Sequence, residues 1–258
     1  MSVLNKIAAN RRKEIERLKI DQPLEGFIDN LENLPPSKFK AALEVTERVN
    51  IIAEIKKGSP SKGILRPDLD PGILAREYAK GGAAALSVLT ETKHFYGSYD
   101  NLKQAHAAVS LPVLCKDFVV DRYQLFHARS LLADAVLLIV ALHSPDELTR
   151  HLRLAHKIGI DCLVEVHDEV ELDIALGAGA VIIGVNNRNL KDFTISLETS
   201  ERLAAKMPNN IIRVAESGID SSSDITRLQQ AGYNCFLIGE TLVMANDPVK
   251  KLWELTSV

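Results

Sequence analysis

The sequence predicts an α/β fold, a (β/α)8 barrel with an N-terminal helical extension. Three observations carry that expectation. Eight short apolar, β-branched runs recur about 20 to 35 residues apart, the length of a strand–loop–helix unit. Each run is near-continuously apolar, as suits a parallel strand covered on both faces. The segments between the runs carry helix start and stop signals. Eight such units point to a closed barrel. The competing doubly wound sheet would show GxGxxG directly after a strand. The nearest match, Gly177-Ala178-Gly179, precedes a strand and lacks the third glycine; it reads as a helix C-cap and turn.

Taken in order, residues 1 to about 48 do not fit the repeat. Leu4, Ile7, Ile15 and Leu18 lie near helical spacing, and a second short helix is expected over about Pro36–Val45. This extension should pack against the barrel. The eight predicted strands are Val49–Ile55, Ala84–Leu89, Val113–Cys115, Ala135–Val140, Cys162–Val166, Val181–Val185, Ile211–Ala215 and Cys235–Ile238. Between them, Asp70-Pro71 opens a helix that closes at Gly81-Gly82, with proline in the first turn and glycine at the end. Ser144-Pro145-Asp146-Glu147 reads as a capping box, as does Asp168 with Glu171. Asp247-Pro248 opens the last helix, which Trp253 is expected to pack.

The 258 residues are accounted for by one barrel domain, 1–258, including the extension. Basic residues number 31 and acidic ones 34, a net charge of −3, which excludes a generally basic nucleic-acid binder but not a local positive pocket. The longest apolar run, Ala135 to Leu142, is far below the roughly 18 residues needed to cross a bilayer. The N-terminus lacks the apolar core of a secretion signal, and Glu14 and Glu16 argue against a transit peptide. Cys115, Cys162 and Cys235 are odd in number and widely spaced, so a reducing cytoplasm is expected.

Barrel active sites form at the C-terminal ends of the strands. Six of the predicted strands end in polar residues: Glu54 and Lys56, Lys116-Asp117, Glu165, Asn186-Asn187-Arg188, Glu216-Ser217-Gly218, and Gly239-Glu240. Strand periodicity puts Glu54 and Lys56 on one side and Ala53 and Ile55 on the other. A charged pair is too costly in the helix-covered layer and belongs inside the barrel mouth. A structural salt bridge closing the barrel would account for one strand, but not for three cations and three carboxylates at one rim. The glycines after the last two strands suit backbone contacts to an anion. There Gly239-Glu240-Thr241-Leu242 would start the short extra helix that phosphate sites of barrels use. The seven histidines form no HxxxH or HExxH pair, so no metal site is expected. His167 follows Glu165 by two, which could put both on one face, but a lone strand histidine is more often structural. Cys115 should face the helix layer as a small core residue.

With these residues placed, the segment IIAEIKKGSPSKG (Ile51–Gly63) closely resembles the signature of the indole-3-glycerol phosphate synthase family. The resemblance continues through TETKHFYGSYDNL (Thr90–Leu102), LPVLCKDFVVD (Leu111–Asp121), LVEVH (Leu163–His167), IIGVNNRNL (Ile182–Leu190), VAESGI (Val214–Ile219) and FLIGETLV (Phe236–Val243). It implies a (β/α)8 fold with no cofactor and no metal. It also implies conversion of 1-(2-carboxyphenylamino)-1-deoxyribulose 5-phosphate into indole-3-glycerol phosphate, CO2 and water.

Carried over, the resemblance makes Lys116 the general acid of ring closure and Glu165 the acid/base partner in dehydration. Lys56 is similar to a substrate-binding lysine that can also act as an acid, and Glu54 to a residue that orients the lysines. Asn186 and Glu216 match residues holding substrate hydroxyls and the charge network. Arg188 matches a residue near the anthranilate carboxylate, and Phe95 one packing near the ring, with Ser217 beside the substrate. Ser59, Gly218, Gly239 and Glu240 match the phosphate loops. Glu240 departs from the serine of many relatives, which keeps a backbone contact but removes a hydroxyl. The expected partner is the small phosphorylated substrate, not nucleic acid or membrane, with the chain acting as a monomer or weak homodimer. The rival readings are a Schiff-base aldolase, another tryptophan-pathway barrel such as phosphoribosylanthranilate isomerase, and a non-catalytic sensor of phosphorylated metabolites.

Overall fold

The computed structural model describes residues 3–189 and 193–257. Leu190, which ends one of the quoted motifs, lies outside them. Eight parallel strands close into a barrel: β1 (Asn50–Ile55), β2 (Ala85–Leu89), β3 (Val113–Lys116), β4 (Ala135–Ile139), β5 (Asp161–Val166), β6 (Ile182–Asn186), β7 (Ile212–Glu216) and β8 (Cys235–Ile238). Each strand pairs with its sequence neighbours, and β8 returns to β1 with Asn50 opposite Cys235 and Ala53 opposite Ile238. All eight predicted strands are present. The differences are at the ends: β3, β6 and β7 run one residue further than their apolar runs and finish on Lys116, Asn186 and Glu216. The backbone ladder continues through a polar residue when its side chain opens into the barrel mouth.

The pleat divides the apolar residues into two clusters. Ile51, Ala53 and Ile55 of β1 face outward with Cys115, Val164 and Ile183, under the helices. Ile52, Leu114, Leu137, Leu163, Val214 and Leu237 fill the inside. The interior is therefore packed, and only its C-terminal end is open to chemistry. Cys115 lies in the outer layer as expected.

The surrounding helices follow their punctuation. Asp70 caps α3 (Pro71–Lys80) by accepting the Ile73 N–H, and Ser144 with Glu147 forms a full capping box on α6 (Pro145–Lys157). Asp168 caps α7 (Glu169–Gly177) through the Glu171 N–H, but the reciprocal half of the expected box is missing. The Glu171 carboxylate is committed to His167 instead. In the last helix, Pro248–Thr256, Leu252 and Leu255 are buried while Trp253 is 51% exposed. Helical spacing puts 252 and 255 on one face and turns 253 away from it, so the expectation for Trp253 is corrected.

The extension forms α1 (Val3–Asp21), two 3-10 turns (Leu24–Gly26 and Ile28–Asn33) and α2 (Phe39–Leu43). The second helix is shorter than expected, beginning after Pro35-Pro36. Its Phe39 and Leu43 join the interior cluster. The backbone N–H groups of Lys38 and Lys40 donate to Asp134 and Asp161, at the starts of β4 and β5. Thus α2 stoppers the N-terminal end of the barrel. By contrast, Leu4 and Ile7 of α1 reach the cavity at the other end.

Candidate active site

All eight strands contribute to the wall of one cavity at the C-terminal end of the barrel, where Glu54, Lys56, Lys116, Glu165, Asn186 and Glu216 converge. On β1, Glu54 is buried and its Oε1 meets Lys56 Nζ at 2.9 Å. Gly239 makes room for this pair. A β-carbon there would stand 2.3 Å from Glu54 Oε1 and 3.0 Å from Lys56 Nζ. Burial opposes charge on Glu54, but Lys56 and Lys116 outweigh it and hold its carboxyl below the usual range.

Lys116, at the end of β3, is the hub. Its Nζ donates to Glu216 Oε2 at 3.3 Å, and lies 3.7 Å from Glu165 Oε2 and 3.9 Å from Glu54 Oε2. Burial works against the ammonium, but Glu216, Glu165 and Glu54 together raise its pKa above the ordinary lysine value. Lys116 is therefore protonated at neutral pH. Two ammonium groups cannot balance three carboxylates equally. Glu165 and Glu216 share the imbalance in opposite directions. Glu165, despite burial, is pulled down by Lys116 and His167. Glu216 is pushed up by burial and by the neighbouring Glu165, more than Lys116 can offset. Its Oε1 is buried without a hydrogen-bond partner and points at Gly184. A protonated Glu216 relieves both strains.

Asn186 donates from Nδ2 to Glu165 Oε1 at 3.2 Å and accepts the Arg188 N–H at 3.0 Å through its own side-chain oxygen. Arg188 lines the cavity beyond it, on an arm that bridges to Ile195. Asn187 is turned away. It ties Ser200 and the Ser217 carbonyl together in the outer layer. Phe95 lines the opposite wall, 5.8 Å from the ring of Phe118.

The glycine loops converge as expected. Ser217 and Gly218 both have positive φ, and a β-carbon on Gly218 would meet Ile195 at 2.4 Å. Glu240 opens the short helix α10 (Glu240–Val243). Thr241 donates to the Ile219 carbonyl at 2.9 Å, tying the loops after β7 and β8. Ser59 lies in a small hairpin, Gly58–Ser59 against Gly63–Ile64, that overhangs the cavity. At the hairpin's tip Lys62 forms an ion pair with the Glu240 side chain. Glu240 thus turns its carboxylate toward the hairpin, while the residue still lines the cavity.

Asp117 and His167 were named from the sequence, but the ties that hold them were not, and Glu91 was missed. Asp117, beside Lys116, is buried against Arg11 Nη2 at 2.5 Å and accepts from Tyr99 OH at 3.0 Å. The available signal was an arginine at helical spacing between Ile7 and Ile15. Glu91 is buried and accepts the N–H groups of Lys93, His94 and Phe95, shaping the loop that presents Phe95. His167 stands between Glu165 and Glu171.

Comparison with known proteins identifies the family. The sequence model of the family described as indole-3-glycerol phosphate synthase matches residues 4–255. An indole-3-glycerol phosphate synthase of Dehalococcoides mccartyi is 46% identical over 257 residues, covering 98% of this chain and 99% of its own. One of Chlorobium phaeobacteroides is 44% identical over 258 residues, covering 99% and 100%. Among solved structures, a thiamine phosphate pyrophosphorylase of Pyrococcus furiosus superimposes with a TM-score of 0.60 at 18% identity, over 80% of this chain and 93% of that one. That likeness shows the fold alone. The chain belongs to the indole-3-glycerol phosphate synthase family.

Proposed function

We propose that this chain closes the indole ring of 1-(2-carboxyphenylamino)-1-deoxyribulose 5-phosphate, releasing CO2 and water, with Lys116 as the proton donor. The observation that carries the reading is the Lys116 ammonium set among Glu54, Glu165 and Glu216 at the barrel mouth. Bond formation between the ring carbon and the ribulose carbonyl puts charge on the carbonyl oxygen. A positioned ammonium delivers the proton there. Loss of CO2 restores the aromatic ring. Glu216, kept partly protonated beside Lys116, is the nearest group able to return the proton. Glu165 acts as acid/base in the dehydration that follows.

Charge supports the rest of the assignment. Lys56 and Arg188 match the substrate's carboxylate, and Phe95 its ring, with Ser217 alongside. Ser59, Gly218, Gly239 and the N–H of Glu240 are assigned to the phosphate. Gly239 has a second task in this reading, since it also clears space for Glu54. Among the described residues no helix is long and apolar enough to cross a membrane. The three cysteines are buried and unpaired, which supports a reducing cytoplasmic location. We take the active form to be a monomer or weak homodimer.

The purified chain, given the substrate, is expected to generate indole-glycerol phosphate fluorescence, and absence of product would overturn the reading. Borohydride with a ketose phosphate is expected to trap nothing on Lys56 or Lys116. A trapped adduct would favour an aldolase instead.

A further inference from the structure

We propose that His167 is a positioning residue for Glu165, a ring clamped between two carboxylates that keeps Glu165 ionised and fixes which of its oxygens faces the cavity. This rests on the reading of Glu165 as the dehydration acid/base. His167 Nδ1 lies 2.9 Å from Glu171 Oε2, and its Nε2 lies 3.3 Å from Glu165 Oε1. The Nδ1 contact is a hydrogen bond, whereas Nε2 stands beside Glu165 outside hydrogen-bond geometry, as an ion pair. A neutral ring would set a nitrogen lone pair beside one of those carboxylates, and only the doubly protonated ring sets a positive charge against both.

The clamp is itself held. Glu171 Oε2 also accepts the His167 backbone N–H at 2.8 Å, and the Glu171 N–H is bound by Asp168 at 2.9 Å. The first turn of α7 therefore fixes Glu171, Glu171 fixes the ring, and the ring fixes Glu165. Glu165 Oε1 accepts from Asn186 of β6 and faces the His167 ring as an ion pair. Its Oε2 is left facing Lys116 of β3. Glu54 of β1 and Glu216 of β7 face the same group and oppose its charge. Burial disfavours the imidazolium, but Glu165 and Glu171 raise the His167 pKa to about 10. A cation fixed at Oε1 makes protonated Glu165 a stronger acid. Such a group returns its proton quickly after taking it, as a residue acting in both directions must.

The test compares kcat and KM across pH for His167→Gln, Glu171→Gln and Glu165→Gln, with ring 15N NMR of the labelled wild-type chain. His167→Gln is expected to raise the acid limb of kcat by at least one pH unit, with KM changed less than about threefold. Glu171→Gln should move the limb less in the same direction. His167→Arg, which keeps a cation with donors, should return it toward wild type. A His167→Gln profile that overlays wild type, with Glu165→Gln inactive, would overturn the inference and leave the Glu165 assignment standing. Wild-type turnover in Glu165→Gln would remove that assignment and the inference with it. Independently of any variant's folding, the wild-type His167 ring should stay doubly protonated to beyond pH 9. Titration near the ordinary histidine value would overturn the clamp.

Discussion

At the scale of single residues, the site is a charge balance set around Lys116. Replacing Lys116 with Ala removes the proton donor and is expected to lower kcat by at least about 10²-fold, roughly 3 kcal/mol of barrier, with little change in KM. Steady-state kinetics on the folded variant check this. Glu165→Gln should impair dehydration more than ring closure. Rapid-quench product analysis is expected to show the undehydrated intermediate accumulating. Gly184 exposes a quieter dependence. A β-carbon there would stand 2.0 Å from Glu216 Oε1, so Gly184→Ala should cost about 1–3 kcal/mol by overpacking and displace the carboxylate beside Lys116. Thermal unfolding and kcat should fall together. Glu54, Lys56, Lys116 and Glu165 were legible in the sequence because charge on a strand covered on both faces has only one affordable place. Gly184 and Gly239 were not legible in this role. Their meaning depends on side chains that approach from other strands, Glu216 and Glu54, which local pattern does not relate to them.

Among the elements, the strands and helix starts could be read and the ties between them could not. The β1 pattern of apolar and charged residues, and the Ser144–Glu147 box, are local and were found. The Arg11–Asp117 pair joins residues 106 apart, and no periodicity marks it. That pair fixes α1 beside β3. Arg11 is held charged, against burial, mainly by Asp117. Arg11→Met keeps most of the side-chain stem but strands a buried carboxylate. The expected loss is about 3–5 kcal/mol, read from urea unfolding, with a fall in kcat because Asp117 adjoins Lys116. The Trp253 correction makes the same point in reverse. A large apolar side chain invites a packing role, yet the face of the last helix is set by Leu252 and Leu255.

For the whole molecule, pH dependence should reflect histidines outside the mouth as well as the site. Burial, with help from Arg11, lowers the His127 pKa to about 4, and burial with His151 lowers that of His143 to about 4. In the unfolded chain each sits near 6.5. As pH falls from about 6.5 toward about 4, the unfolded chain binds protons that the folded chain refuses. The contribution of these two histidines therefore declines through that window and stops declining below it, while Glu216, whose pKa is raised to about 7, contributes in the opposite sense. The loss should be on the order of 2 kcal/mol per histidine. Urea midpoints of wild type and His127→Gln at pH 7 and pH 4.5 check it, with the variant expected to lose less stability than wild type between the two.

The closure of the barrel has a consequence for its birth. The β1 edge pairs with β8, whose first residue stands 185 positions later. At a ribosomal pace of about 5–20 residues per second, that edge waits roughly 10–40 s for its partner. During the wait the nascent chain carries an unpaired, almost wholly apolar strand, the kind of edge that invites other chains. Its folding yield should therefore fall as protein concentration rises and as elongation slows, well before its native stability is in question.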